Sequence, residues 1–155
     1  MKKKLSHLLF LLLPIFAFSA VLKVGKNEQY KTIKSAIAAA QSGDTIFVQK
    51  GVYKEGTINI EKSITLIGID RPIIDGNMTG EIITFKADRI TLKGFKLINS
   101  GRDEIRSIAA IHIYTSADSV IDNNILENNH FGIYVQRGLR VLINNNKITT
   151  NRGTS

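Results

Sequence analysis

The chain has no cysteine and no tryptophan, only two prolines, and an aromatic content of 7%. Without cysteine there is no disulfide framework, no thiolate nucleophile, no cysteine-based zinc site and no lipidated cysteine at an export site. Two prolines beside 12 glycines exclude collagen-like repetition. Acidic residues are in the minority, 13 against 21 Lys and Arg, for a formal charge of +8. The hydrophobic content of 43% is that of a globular protein, so global disorder is excluded as well. A length of 155 residues holds one domain around one core.

The positive charge is partly local. Lys2, Lys3 and Lys4 precede an apolar run from Leu8 to Phe18, followed by small residues at Ala17, Ser19 and Ala20. Basic residues, about a dozen apolar ones and a small-residue site form the pattern of a secretory signal. The run is shorter than the ~20 residues a spanning helix needs. Cleavage is expected after Ser19, which makes residues 1–19 a signal peptide and leaves the remainder without a membrane span. Its removal takes three lysines and leaves +5, spread along the chain, so nucleic acid is not expected as a partner.

An internal repeat organises the rest. Val120-Ile121-Asp122-Asn123-Asn124 lies over Leu142-Ile143-Asn144-Asn145-Asn146 at an offset of 22, and Ile111 lies over Ile133 at the same offset. Thr65-Leu66-Ile67-Gly68 and Thr91-Leu92-Lys93-Gly94 are looser copies with Gly where Asn recurs later. Short β-branched runs separated by Gly or Asn read as strands joined by turns that tolerate left-handed backbone. A coil of this size cannot bury its own apolar face, but stacked coils ~4.8 Å apart can. The expected fold is all-β: a right-handed parallel β-helix with coils of about 22 residues over 44–155, preceded by a short capping α-helix at about 32–42. Leu92, Ile121 and Ile143 are expected in one inward file. Asn124 over Asn146, and Asn123 over Asn145, are expected to form amide ladders.

The helix is read from the stripe Ile33, Ala36, Ile37 and Ala40, with Thr32 starting it and Gly43 stopping it. Asp44–Val48 then opens the first coil. Spacing rises to 26 residues from Thr65 to Thr91 and to 29 from Thr91 to Val120. The extra residues sit at 70–80 and 100–106, and in solenoids such insertions emerge as loops on one face. Arg71, Asp75, Arg102, Asp103 and Arg106 are therefore expected to face a partner.

Tyr30–Ile37, Gly43–Val48, Gly51–Glu55 and Ser63–Gly68 together resemble the opening of the pectin-lyase-like β-helix superfamily. Asp70-Arg71-Pro72-Ile73-Ile74-Asp75-Gly76, Gly94–Gly101, and Asn124–Asn128 running on to Phe131–Gln136 resemble the NosD family within it. The likeness spans residues 25–151. It implies a periplasmic accessory protein for maturation of the copper–sulfur centre of nitrous oxide reductase. Its partners would be the membrane subunit of an ABC-type transporter, a copper-carrying lipoprotein and the reductase itself, and its cargo would be copper. NosD proteins are more than twice this length, so the expectation is a truncated N-terminal part of a longer solenoid.

The residues themselves offer little metal chemistry. Met78, His112 and His130 are soft enough for copper, yet no two share a metal-ligand spacing. His112 alternates with Ile111 and Ile113, so it is expected to point outward as an exposed histidine beside Tyr134 one coil later. No paired carboxylates or acidic ladder mark an enzyme of acidic polysaccharides, because Asp122 shares its file with Lys93 and Asn144. No catalytic residue is assigned. Arg102, Asp103, Glu104 and Arg106 read as mutually paired surface charges. A polysaccharide-active or polysaccharide-binding β-helix is the alternative function, with Tyr53, Tyr114, Phe131 and Tyr134 as stacking platforms.

Overall fold

Four-residue runs of alternating exposure begin at Val21. The computed structural model describes residues 19–103 and 105–149, so most of the expected signal peptide, Glu104 and the last six residues lie outside it. β1 (Val21–Val24) is followed by α1 (Ile33–Ala39). The coils then run β2 (Thr45–Val48), β3 (Val52–Tyr53) and β4 (Ile58–Ile60); β5 (Thr65–Gly68), β6 (Ile73–Asp75) and β7 (Ile83–Phe85). Next come β8 (Thr91–Lys93), β9 (Lys96–Ile98), β10 (Ala109–Ile113) and β11 (Ser116–Ala117). The stack continues through β12 (Val120–Asp122), β13 (Ile125–Glu127), β14 (Phe131–Val135), β15 (Gly138–Leu139), β16 (Leu142–Asn144) and β17 (Lys147–Thr149).

Every pairing is parallel and joins one coil to the next. Sheet A is β1-β2-β5-β8-β12-β16, sheet B is β3-β6-β9-β13-β17 and sheet C is β4-β7-β10-β14. This is a parallel β-solenoid. The repeat starts one turn earlier than the sequence suggested, because Val21–Val24 already pairs with Thr45–Val48. Registered residues in sheet A are 24, 20, 26, 29 and 22 apart, so the 22-residue coil is one member of a varied set.

Inward files build the core. Sheet A contributes Leu22, Ile46, Leu66, Leu92, Ile121 and Ile143 in register, which includes the expected file. Sheet B contributes Tyr53, Ile74, Leu97, Leu126 and Ile148. Sheet C contributes Ile58, Ile83, Ile111 and Ile133. Each fully buried aliphatic side chain contributes about 1.5–3 kcal/mol by leaving water. Tyr53 belongs to this core, with its hydroxyl donating to the Gln49 carbonyl at 2.9 Å, so it is no stacking platform.

Most corners of the later coils take left-handed backbone, which Asn and Asp adopt at least cost among residues bearing a Cβ. Gly94, Asn123 and Asn145 turn from sheet A to sheet B; Asn99 and Asn128 turn from B to C; Arg89, Asp118 and Arg140 turn from C to A. This corrects one expected ladder. Asn123 and Asn145 are corner residues; the Asn145 amide donates to Asp122, while Asn123 Oδ1 accepts from Arg71. Asn124 and Asn146 do form a ladder, Nδ2 to Oδ1 at 3.0 Å. A second ladder runs from Asn128 to Asn99 to Asp75 at 2.7 and 3.0 Å.

Helix α1 lies against β1, β2 and β4 and buries Ile33, Ala36 and Ile37 over the first turns of the stack. It ends at Ala39, four residues before Gly43, because Ala40 is extended and Lys62 takes up the terminal carbonyls. The Lys62 ammonium donates to Ile37, Ala38 and Ala40 oxygens at 2.6–3.0 Å. At the other end Glu55 accepts from the Ile33 and Lys34 amides at 2.8 and 2.9 Å. A carboxylate at the N-terminus and an ammonium at the C-terminus both oppose the helix dipole. Among the described residues no helix is long and apolar enough to cross a membrane.

Candidate functional site

The outer face of sheet C carries two files set by the register. One is Asn59, Thr84, His112, Tyr134. The other, one pleat further along, leads through Lys86 and Tyr114 to Gln136. Both longer insertions leave the solenoid at the corner from sheet B to sheet C and fold over this face. Gly80 accepts from the Gly101 amide at 2.8 Å, and the Glu81 carbonyl accepts from the Thr57 hydroxyl at 2.7 Å. The result is a cleft of about 450 Å³ lined by Glu81, Arg106, Ser107, His112, Tyr114, Tyr134 and Gln136, among others. That volume is in the class of small-molecule sites.

His112 points outward as expected, but it is buried, at 6% exposure. Residues from another coil cover it. Its Nδ1 meets the Glu81 carboxylate, and its ring stacks on Tyr114 at 3.8 Å between centroids and 16° between planes. Tyr134 makes an edge contact at 4.9 Å. The Tyr114 hydroxyl donates to both Glu81 oxygens at 3.0 and 3.2 Å. Burial first, then the Glu81 bond and charge, push the Tyr114 hydroxyl above its ordinary 10, so it stays protonated as a donor. A carboxylate oxygen accepts, so Nδ1 is the nitrogen that donates to Glu81. His112 Nε2 is buried and has no hydrogen-bond partner among the described residues.

Glu81 escaped the sequence reading. It stands just ahead of the Ile82–Phe85 run, 31 residues before His112. Only the register of β7 on β10 brings it near, and the one sequence signal was an acid beside an insertion.

The other candidates scatter. Asp75 is buried, at 9% exposure. Burial would raise its carboxyl, but the Asn77 amide, the Asn99 side chain and the Lys54 ammonium hold it below 3.8. Arg71 is exposed and clasps Asn123, donating to its backbone and side-chain oxygens at 2.7 Å each. Arg102 donates to Asn128 at 3.2 Å. Asp103 accepts from the Ile105 and Arg106 amides and from Arg106 Nε at 2.8–2.9 Å, bonds that bring its pKa down to about 2. Met78 holds a left-handed corner, and His130 makes an edge contact with Phe131 at 4.6 Å. Among the described residues no group of three His, Cys, Asp or Glu could hold a metal ion.

A family model described as "Right handed beta helix region" matches residues 16–155. No curated protein and no solved structure matches the chain significantly.

Proposed function

The chain belongs to the right-handed β-helix family, and from that premise we propose that it is an exported accessory protein for maturation of the copper–sulfur centre of nitrous oxide reductase. It works by binding and handover with an ABC-type transporter and a copper-carrying lipoprotein, with no covalent step by its own side chains. Residues 1–19 direct it to the periplasm. The observation that carries the reading is where the NosD-like blocks fall. Residues 70–76, 94–101 and 124–136 occupy successive coils and stack through Ile74, Leu97 and Leu126. Residues 70–76, 94–101 and 124–128 therefore build one continuous flank, sheet B with its corners, and 131–136 run on into strand β14 of the neighbouring sheet C. A stacked flank of this kind is rigid enough to present a fixed surface to a partner. No step runs through copper held by this chain.

The test is the copper content and activity of nitrous oxide reductase from cells lacking only this gene. Reductase short of its catalytic cluster and restored by re-expression is the expected result; fully loaded reductase overturns the reading. Charge reversal at Arg102 and Arg106 is expected to weaken transporter binding while the coils stay folded.

The sheet C cleft favours a second reading, polysaccharide binding. Tyr134 supplies an aromatic ring to its lining, and Gln136 and Arg106 supply polar groups.

A further inference from the structure

We propose that Asn77 is a site of N-linked glycosylation, receiving an oligosaccharide from a lipid pyrophosphate donor outside the cytoplasm. The proposal rests on export of the chain and stands apart from the cleft's ligand and from copper handling. Asn77-Met78-Thr79 is the one place in the sequence where an asparagine precedes Ser or Thr by two residues with no proline between. That spacing is the acceptor pattern found on surface loops of exported proteins.

Other asparagines of this fold spend their side chains on the stack. Asn99, Asn124, Asn128 and Asn129 donate from their amides to neighbouring coils at 2.7–3.1 Å. Asn77 is exposed, and its side chain has no hydrogen-bond partner among the described residues; its backbone N–H donates to Asp75 Oδ1 at 2.9 Å. A tight turn holds it out. The Thr79 N–H donates to the Gly76 carbonyl at 3.1 Å, and the two residues between, Asn77 and Met78, have φ of 51° and 59°. Such a turn puts its two central residues at the tip. Met78 is 49% exposed, and Thr79 is exposed as well. A sugar on Asn77 Nδ2 therefore breaks no contact of the folded chain. It would stand at the rim of the sheet C cleft, whose lining includes Thr79 and Gly80.

In the transfer, Asn77 Nδ2 attacks C1 of the reducing-end sugar. The N–C bond forms as the C1–O bond to the pyrophosphate breaks, and the lipid pyrophosphate leaves with the bonding pair. The amide nitrogen gives up one proton to a base of the transferase, and no oxidant or reductant is needed. The Thr79 hydroxyl donates to the Gly76 carbonyl at 2.9 Å, a bond that an exposed residue can exchange for one to the transferase. Asp75, two residues ahead of Asn77, is an acid that a basic acceptor groove can pair with while the segment is extended. In the folded loop that carboxylate is buried and accepts from the Asn77 N–H and the Asn99 amide at 2.9 and 3.0 Å. Transfer is therefore expected as the chain emerges from the membrane, before the coil closes, and the test is made on cells.

The experiment is mass spectrometry of the full chain recovered from its own cells. The tryptic peptide Ser63–Lys86 carries Asn77 intact, because Arg71 precedes Pro72 and resists cleavage. That peptide is expected to bear an oligosaccharide whose fragments locate it on Asn77. The added mass should be lost in Asn77→Gln and in Thr79→Ala and kept in Thr79→Ser, which restores the hydroxyl. A glycan that survives Thr79→Ala overturns the site. An unmodified peptide from a chain whose leader has been removed overturns glycosylation and leaves export standing. A chain found in the cytoplasm with residues 1–19 attached overturns export, and the inference with it.

Discussion

Replacing Asn124 with alanine tests whether the amide ladder holds the coils together. Asn124 is 1% exposed. Its Oδ1 accepts from the Phe95 amide at 3.0 Å, and its Nδ2 donates to the Leu92 carbonyl at 3.1 Å and to Asn146 Oδ1 at 3.0 Å. The alanine leaves the Phe95 N–H buried without a partner, which costs about 1–3 kcal/mol, and removes two further bonds of about 0.5–1.5 kcal/mol each. The expected loss is about 3–4 kcal/mol, a large part of the 5–15 kcal/mol typical of a domain. Asn146→Ala deletes four bonds, but that side chain is only partly buried, so water replaces most of them and the cost is about 1–2 kcal/mol. The assay is urea unfolding followed by circular dichroism, with amide exchange at Phe95 as the local readout. A cost at Asn124 below about 1 kcal/mol, or a Phe95 amide as protected as in the parent, would refute the reasoning.

Four further outcomes follow from the same geometry. Ile121→Asp buries an unpaired charge between Leu92 and Ile143 and should abolish folding; a soluble, cooperatively unfolding variant would show the register to be wrong. Glu55→Gln and Lys62→Met each remove one charged clasp from α1 and should each cost about 1 kcal/mol, lowering the melting temperature by about 3 °C. Gly68→Ala places a Cβ 2.6 Å from the Gly94 carbonyl oxygen and should cost about 2 kcal/mol, while Gly56→Ala meets nothing within 4 Å and costs only its left-handed backbone, about 1 kcal/mol. The Gln41 amide, then the Ala20 amide, hold the Asp44 carboxyl below its ordinary 3.8 against burial. Its stabilising contribution is therefore complete above 3.8 and lost as the pH falls from there through the lower folded-state value, so Asp44→Asn should flatten the acid limb of the stability–pH curve.

Periodicity in a solenoid reports strands and inward files well, because each coil repeats the same environment. Leu92, Ile121 and Ile143 share one file since an apolar position must lie over another to be buried. The insertion at 100–106 was likewise legible as a departure from the period, whereas 70–80, expected as one loop, holds the sheet B strand Ile73–Asp75 with Ile74 in the core, so the extra residues there follow Asp75. Val21–Val24 was not, since its run follows the apolar signal directly and its partner strand lies beyond a helix. The burial of His112 was out of reach for a different reason. Alternation fixes which way a side chain points, whereas what covers it comes from Glu81 and Tyr134, in other coils. Asn123 and Asn124 show the same limit at finer scale. Adjacent and identical, they differ by one carrying the corner's left-handed backbone and the other the ladder.

The cleft follows from where the coils lengthen. A solenoid fixes its strands by register, so extra residues must leave at a corner, and here two consecutive coils expand at the same one. The first insertion delivers Glu81 onto His112 and Tyr114, and the second delivers Arg106 to the opposite side. Neither residue belongs to the repeat, and neither is needed to bury the core. The scaffold supplies His112, Tyr114 and Tyr134 at spacings set by the coil rise, and the insertions supply the groups that turn them into a cleft. The second insertion also reaches the sheet B flank, where Arg102 clasps Asn128, while Asp103 ties that arm to Arg106 in the cleft. A partner that displaced Arg102 from Asn128 would thus pull on the same short loop that walls the cleft.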